Sequence, residues 1–252
     1  MSADRERDRS VLVIGTGLIG ASIGLALRSA GATVWLQDND PVTCQHAIDR
    51  GAGVQLTPDA APDLVVVAVP PRAIADVAAD SLQRYPLATV TDVASVKAAP
   101  LARLHGLVAD TSRFVGGHPM AGREVSGPAG ARADLFEDRL WVITALEGAP
   151  ADRVADVSWL ARTCGALVVE LEASEHDRAV ALTSHTPQIL ASLLAAQLAD
   201  ADPSDVAVSG QGLRDITRFE RVIDGLHLRG LRAQVLGDLA LPEILLLELC
   251  KR

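Results

Sequence analysis

Short runs of apolar, β-branched residues recur along the first two thirds of the chain. Between them lie Ala- and Leu-rich stretches with helical spacing. Ser10–Gly15 (SVLVIG), Thr33–Asp38 (TVWLQD), Asp63–Pro70 (DLVVVAVP), Ala88–Val93 (ATVTDV), Arg113–Gly117 (RFVGG), Leu140–Ala145 (LWVITA) and Ala166–Leu171 (ALVVEL) each read as a strand. Ile19–Gly31 reads as a helix closed by glycine. The run Asp63–Pro70 is almost continuously apolar, as a strand covered on both faces requires. This alternation predicts an α/β fold built on a doubly wound parallel sheet. After Leu171 the strand-like runs stop, and EHDRAVALTSHTPQILASLLAAQLAD carries helical spacing interrupted at Pro187. A boundary near Glu172 follows, with a sheet domain over 1–172 and a smaller all-helical domain over 173–252.

The first predicted strand runs into GTGLIGASIG, which places Gly15, Gly17 and Gly20 as G-x-G-x-x-G between a strand and a helix. Asp38 ends the next strand. That is the setting of the Rossmann dinucleotide fingerprint. Gly15 allows the tight turn, Gly17 lets the backbone approach a pyrophosphate, and Gly20 lets the helix pack close to the sheet. The helix N-terminus offers amides and a partial positive charge to the phosphates. Leu18 and Ile19 at the helix start and Val69 at the end of the third strand complete the expected cofactor contacts. Asp38 should accept from the ribose hydroxyls and repel a 2′-phosphate, and Gln37, Asn39 and Asp40 supply no compensating cation. The expected cofactor is NAD. A sugar-nucleotide or structural version of the same fold is the alternative.

A doubly wound sheet binds its ligand at the carboxyl ends of its strands. TDVASVKAAP follows the fourth predicted strand and GGHPMAG the fifth, so Ser95, Lys97 and His118 are expected at one edge. Taken singly, Ser95 suits a helix N-cap and His118 a hydrogen-bonded turn; together at one edge they point to a site.

Composition narrows the class. The chain has 252 residues, a net charge of −9, 49% hydrophobic residues and 3% aromatic residues. An acidic, aromatic-poor chain lacks the basic patch and stacking surface of a nucleic-acid binder. The longest apolar runs are strand-length, so no membrane span is expected. Cys44, Cys164 and Cys250 are far apart and His176 and His185 are nine residues apart, so neither a disulfide framework nor a metal site is expected. The charged start MSADRERDRS has no apolar signal core, and a reduced, cytoplasmic setting is the simplest one.

GTGLIGASIGLALR, DVASVK, GGHPMAGREVSG, EHDRAVALTSHTPQ and GQGLRDITR, in that order from Val11 to Arg218, resemble the prephenate and arogenate dehydrogenases of tyrosine biosynthesis. The resemblance implies NAD-dependent oxidative decarboxylation of prephenate, or of arogenate. It makes His118 the acceptor for the substrate hydroxyl and Ser95 a residue that orients His118 and the nicotinamide. Arg218 would bind a substrate carboxylate, supported by Arg214 and Asp215. Ser184, Gln188 and Glu124 would be further substrate contacts. Gln188 stands where the family often has a histidine, which is compatible with arogenate. The resemblance also implies a homodimer through the helical domain. After residue 218 the chain departs from the family pattern, so that domain is expected to be shortened or divergent there. A catalytically impaired NAD-binding protein stays open on that account. Hydroxyacid and imine reductases use a lysine on a helix of the second domain, and none occurs between Lys97 and Lys251.

Overall fold

Leu64–Val67 (LVVV), the fully buried strand β4, shows how the sheet is covered. Leu64 and Val66 pack on one face with helices α1 (Leu18–Ser29), α2 (Pro41–Asp49) and α5 (Ala151–Thr163). Val65 and Val67 pack on the other with α3 (Ile74–Arg84) and α4 (Ala98–Leu107). Strand β1 (Ser10–Ile14) divides the same way, Val11 and Val13 against Leu12. Successive side chains point to opposite faces, so a run of valines fills two cores at once. Each fully buried Val or Leu contributes about 1.5–3 kcal/mol of transfer free energy.

The computed structural model describes residues 9–123 and 125–198 and, beyond them, 201, 202, 204, 207, 208 and 210. The remaining strands are β2 (Thr33–Gln37), β3 (Val54–Gln55), β5 (Thr89–Asp92), β6 (Phe114–Pro119), β7 (Leu140–Thr144) and β8 (Leu167–Glu170). They form one eight-stranded sheet in the order β3-β2-β1-β4-β5-β6-β7-β8. The order reverses between β1 and β4, which is the switch point where such sheets bind ligands.

Two features depart from the expected seven-stranded parallel sheet. Strand β3 is only two residues long, too short to leave a pattern. Strand β7 runs antiparallel to β6, pairing His118 with Val142 and Pro119 with Trp141. Among the described residues the connection between them carries no α-helix, only a 3-10 turn at Pro128–Gly130. Without a crossover helix the chain returns on the same side of the sheet, and the strand direction reverses. Helix α5 then restores a parallel crossover to β8.

The chain divides into two compact units, Met1–Asp177 and Arg178–Arg252. Helix α6 (Ala173–Val180) brings the chain to this division. In the second unit a single π-helical stretch, Ala181–His185, leads into α7 (Thr186–Leu198). Pro187 therefore sits in the first turn of α7 and does not separate two helices. Proline is tolerated there, while its ring displaces the carbonyl four residues back, within the widened π stretch. No helix among the described residues is long and apolar enough to cross a membrane.

Candidate active site

The glycine loop is fixed by sterics on two sides and open on a third. Gly15 has φ +94°, and a Cβ there would lie 2.3 Å from the Ala68 carbonyl oxygen at the end of β4. A Cβ on Gly20 would lie 1.9 Å from the Gly15 carbonyl oxygen. Gly17, the N-cap of α1, has nothing within 4 Å of where its Cβ would be. The first amides of α1, Leu18 and Ile19 among them, have no acceptor within the helix, and no side chain caps them. The half-buried Val69 borders the same loop, its Cγ1 3.2 Å from a Gly15 Cβ.

Asp38 lies beside this loop. One carboxylate oxygen accepts from the Thr16 amide at 2.6 Å and the Thr16 hydroxyl at 2.9 Å. The other accepts from the Asp40 amide at 3.0 Å. A carboxylate acceptor thus stands at the end of β2, next to the open face of the loop.

His118 occupies the penultimate position of β6 rather than the turn after it, and it is 9% exposed. The two glycines before it are demanded by packing. A Cβ on Gly116 would lie 2.3 Å from Thr144 Oγ1, and one on Gly117 would lie 2.7 Å from the Asp92 carbonyl oxygen and 3.0 Å from Trp141 Nε1. Beneath this stretch Lys97 and Asp92 form an ion pair whose side chains are both almost wholly buried. Lys97 Nζ also donates to the Gly117 carbonyl at 2.5 Å. Burial pushes the Lys97 ammonium below the usual lysine range, with Asp92 opposing the shift. The ion pair ties the end of β5 to the backbone that carries His118.

On the other side, His118 Nδ1 lies 2.7 Å from Nε2 of His176, which is wholly buried. The rings meet edge to face, with centroids 5.0 Å apart. His176 Nδ1 lies 2.8 Å from Asp177 Oδ1. The Asp177 carboxylate also accepts from the Lys97 amide at 2.8 Å and the Ala98 amide at 2.9 Å. Burial pushes the Asp177 carboxyl up, but the His176 hydrogen bond and the two amides outweigh it and hold it below the usual carboxylate range.

The structure thus brings the glycine loop, Asp38, Val69, Ser95 and His118 into one unit, at the carboxyl ends of β1, β2, β4, β5 and β6. Ser95 is half-buried in the turn after β5. Among the described residues it is not the partner of His118 Nδ1, which faces His176. Nor does it cap α4: Asp177 supplies that acceptor from a distant part of the chain. Ser184 lies exposed in the π-helical stretch, and Gln188 lies on α7 with its amide donating to Ser192 Oγ at 3.4 Å. Glu124, Arg214, Asp215 and Arg218 lie outside the described residues. Beyond His118 the chain borders an open cleft of about 440 Å³ lined by Met120, Arg123, Arg132 and Arg139 among others. Sequence reasoning gave His176 and Asp92 no role at the site, and it placed Lys97 at this edge without its partner Asp92. The available signals were the adjacent His and Asp of EHD, and an acid and a base five residues apart across the β5–α4 turn.

Comparison with known proteins agrees with this arrangement. Residues 23–170 match the nucleotide-binding domain of prephenate dehydrogenase, and residues 172–225 match its dimerization domain. A probable prephenate dehydrogenase, NovF, of Streptomyces niveus is 41% identical over 211 residues, covering 84% of this chain and 58% of the relative. The chain thus spans less than two thirds of that relative's length. Among solved structures, prephenate dehydrogenase from A. aeolicus in complex with hydroxyphenyl propionate and NAD+ is similar with TM-score 0.75 and 27% identity. That match covers 91% of this chain and 84% of the other. Arogenate dehydrogenase from Synechocystis is similar with TM-score 0.69 and 27% identity, covering 91% and 86%. Sheet, glycine loop, buried histidine and both domain matches together make this chain a member of the prephenate dehydrogenase family.

Proposed function

We propose that this chain is an NAD-dependent dehydrogenase that converts prephenate to 4-hydroxyphenylpyruvate by oxidative decarboxylation, a step of tyrosine biosynthesis. The observation that carries the reading is His118, a nearly buried imidazole held through Nδ1 on the strand edge that the glycine loop shares. The open space at Gly17 and the uncapped start of α1 suit a pyrophosphate, and Asp38 suits an unphosphorylated ribose. NAD, when bound, supplies the hydride acceptor.

The chain's own part is proton chemistry and orientation. The substrate is a cyclohexadienol with a hydroxyl at C4 and a carboxylate at C1. As C4 gives up its hydride, its hydroxyl becomes strongly acidic, and neutral His118 accepts that proton. Carbon dioxide then leaves C1, and its bonding electrons complete the aromatic ring. The proton returns from His118 to the phenolic oxygen, so the balance is one hydride and one CO2 with no net proton. Ser95 is assigned to the nicotinamide side, Arg218 to a substrate carboxylate where a guanidinium pairs in a bidentate way, and Arg214 and Asp215 to its support. Ser184, Gln188 and Glu124 are assigned to substrate. These roles rest on the matching motifs. By the same reasoning, 1–172 forms the cofactor domain and 173–252 the substrate and dimer domain. The exposed Leu182, Leu190 and Leu193 suit a homodimer contact.

Arogenate is the second reading. Gln188 hydrogen-bonds without becoming cationic, which suits a substrate bearing an ammonium group. The test is His118→Asn. Turnover should fall by about 10²–10⁴-fold while the dissociation constant for NAD stays within about twofold. Near-normal turnover would overturn the assignment. In the same titrations NADP binding tighter than NAD would overturn the role of Asp38.

A further inference from the structure

The three groups Asp177, His176 and His118 form a directed chain, and its direction follows from donor counting. Asp177 Oδ1 and Oδ2 already accept from the Lys97 and Ala98 amides. An ionised carboxylate can only accept. The hydrogen between Asp177 and His176 therefore belongs to His176 Nδ1. With both rings neutral, His176 Nε2 is then a bare lone pair. It faces His118 Nδ1 at 2.7 Å, so His118 Nδ1 must carry the hydrogen of that contact. His118 is left with its lone pair on Nε2. A half-buried carboxylate, reaching His118 only through His176, thus decides which nitrogen of His118 is the base.

We infer that His176, held by Asp177, is a positioning residue that locks His118 in the Nδ1–H tautomer and so keeps Nε2 free of hydrogen to take the substrate's hydroxyl proton. Free histidine side chains in water favour the opposite, Nε2–H tautomer, which could donate to a hydroxyl but not accept its proton. The lock also fixes the ring's direction, since His176 is wholly buried and held on α6. When His118 becomes cationic in the reaction, its Nδ1–H points at an acceptor backed by a carboxylate, which lowers the cost of the charge. Asp177 does this while capping α4, whose start also carries Lys97 and its buried bond to the Gly117 carbonyl. The same helix end therefore holds the His118 backbone on one side and its ring on the other.

This inference rests on His118 being the proton acceptor of the proposed reaction, but it has a readout of its own. Histidine ¹⁵N shifts, measured at pH 8 on the full chain without substrate, report which ring nitrogen carries hydrogen; His118→Asn assigns the signal. The expected wild-type state is Nδ1–H at His118. His176→Leu removes the acceptor, so His118 should revert to Nε2–H and kcat should fall by about 10²-fold with NAD binding unchanged. His176→Gln places an amide oxygen near the Nε2 position and should restore the Nδ1–H tautomer and most of kcat. Nε2–H at His118 in the wild type would overturn the lock, as would Nδ1–H persisting in His176→Leu. If His176→Leu fails to fold, Gln carries the test: Nε2–H there with full kcat overturns the proposal. A wild-type Nδ1–H signal without turnover of either substrate would defeat the proposed reaction and leave the lock standing.

Discussion

Lys97 is the residue on which the site's framework turns. Its ammonium is buried with Asp92 and reaches across to the carbonyl of Gly117, one residue before His118. Removing one partner of such a pair leaves an uncompensated buried charge. Lys97→Met should therefore destabilise the protein by about 3–5 kcal/mol, measured by urea unfolding, and Asp92→Asn in the same background should recover part of that loss. Equal stability of Lys97→Met and wild type would contradict the buried-pair account. Lys97 also marks the limit of sequence reading at this scale. Its place after a strand put it at the right edge, but nothing in DVASVK says that its charge turns inward. His118 was legible because glycine, proline and a strand end surround it. His176 was not, because its partner lies 58 residues away, and only the folded chain brings α6 beneath β6.

At the scale of elements, the strand-loop-helix β1–α1 separates binding from stability. Gly17→Ala adds a methyl where no protein atom lies, so apo stability should stay nearly unchanged while NAD binding weakens by about tenfold or more, roughly 1.4 kcal/mol. Gly20→Ala drives a methyl into the Gly15 carbonyl and should cost about 3 kcal/mol before any cofactor is added. Thermal unfolding and NAD titration of both variants check this; identical profiles for the two would refute it. The α4–α6 contact makes a pH prediction. Asp177 has a carboxyl pKa lowered in the folded state, so the contact stabilises fully above the unfolded value of about 3.9 and is lost as pH falls through the lower folded value. Acid unfolding should show a steeper loss below about pH 4 in wild type than in Asp177→Asn. Seven strands were legible from their β-branched runs. The reversal at β7 was not, since it depends on a missing crossover helix in 120–139, and loops carry no periodicity.

At the scale of the whole molecule, the first unit holds the glycine loop, Asp38, Ser95, His118 and the histidine pair. The assigned substrate contacts Ser184, Gln188, Arg214, Asp215 and Arg218 belong to the second stretch of sequence. The alternation of strand and helix made the first unit readable, because each element follows a local period. The second was readable mainly through its motifs, since helices rich in Ala and Leu look alike whatever they bind. The proposed reaction draws on residues of both stretches, so the most direct measurement uses the full chain. Incubated with NAD+ and prephenate, and separately with arogenate, it should form NADH at 340 nm together with one CO2 per NADH. Prephenate should be the better substrate by kcat/KM, and preference for arogenate would select the second reading. A chain that binds NAD yet forms no NADH with either substrate would contradict the account.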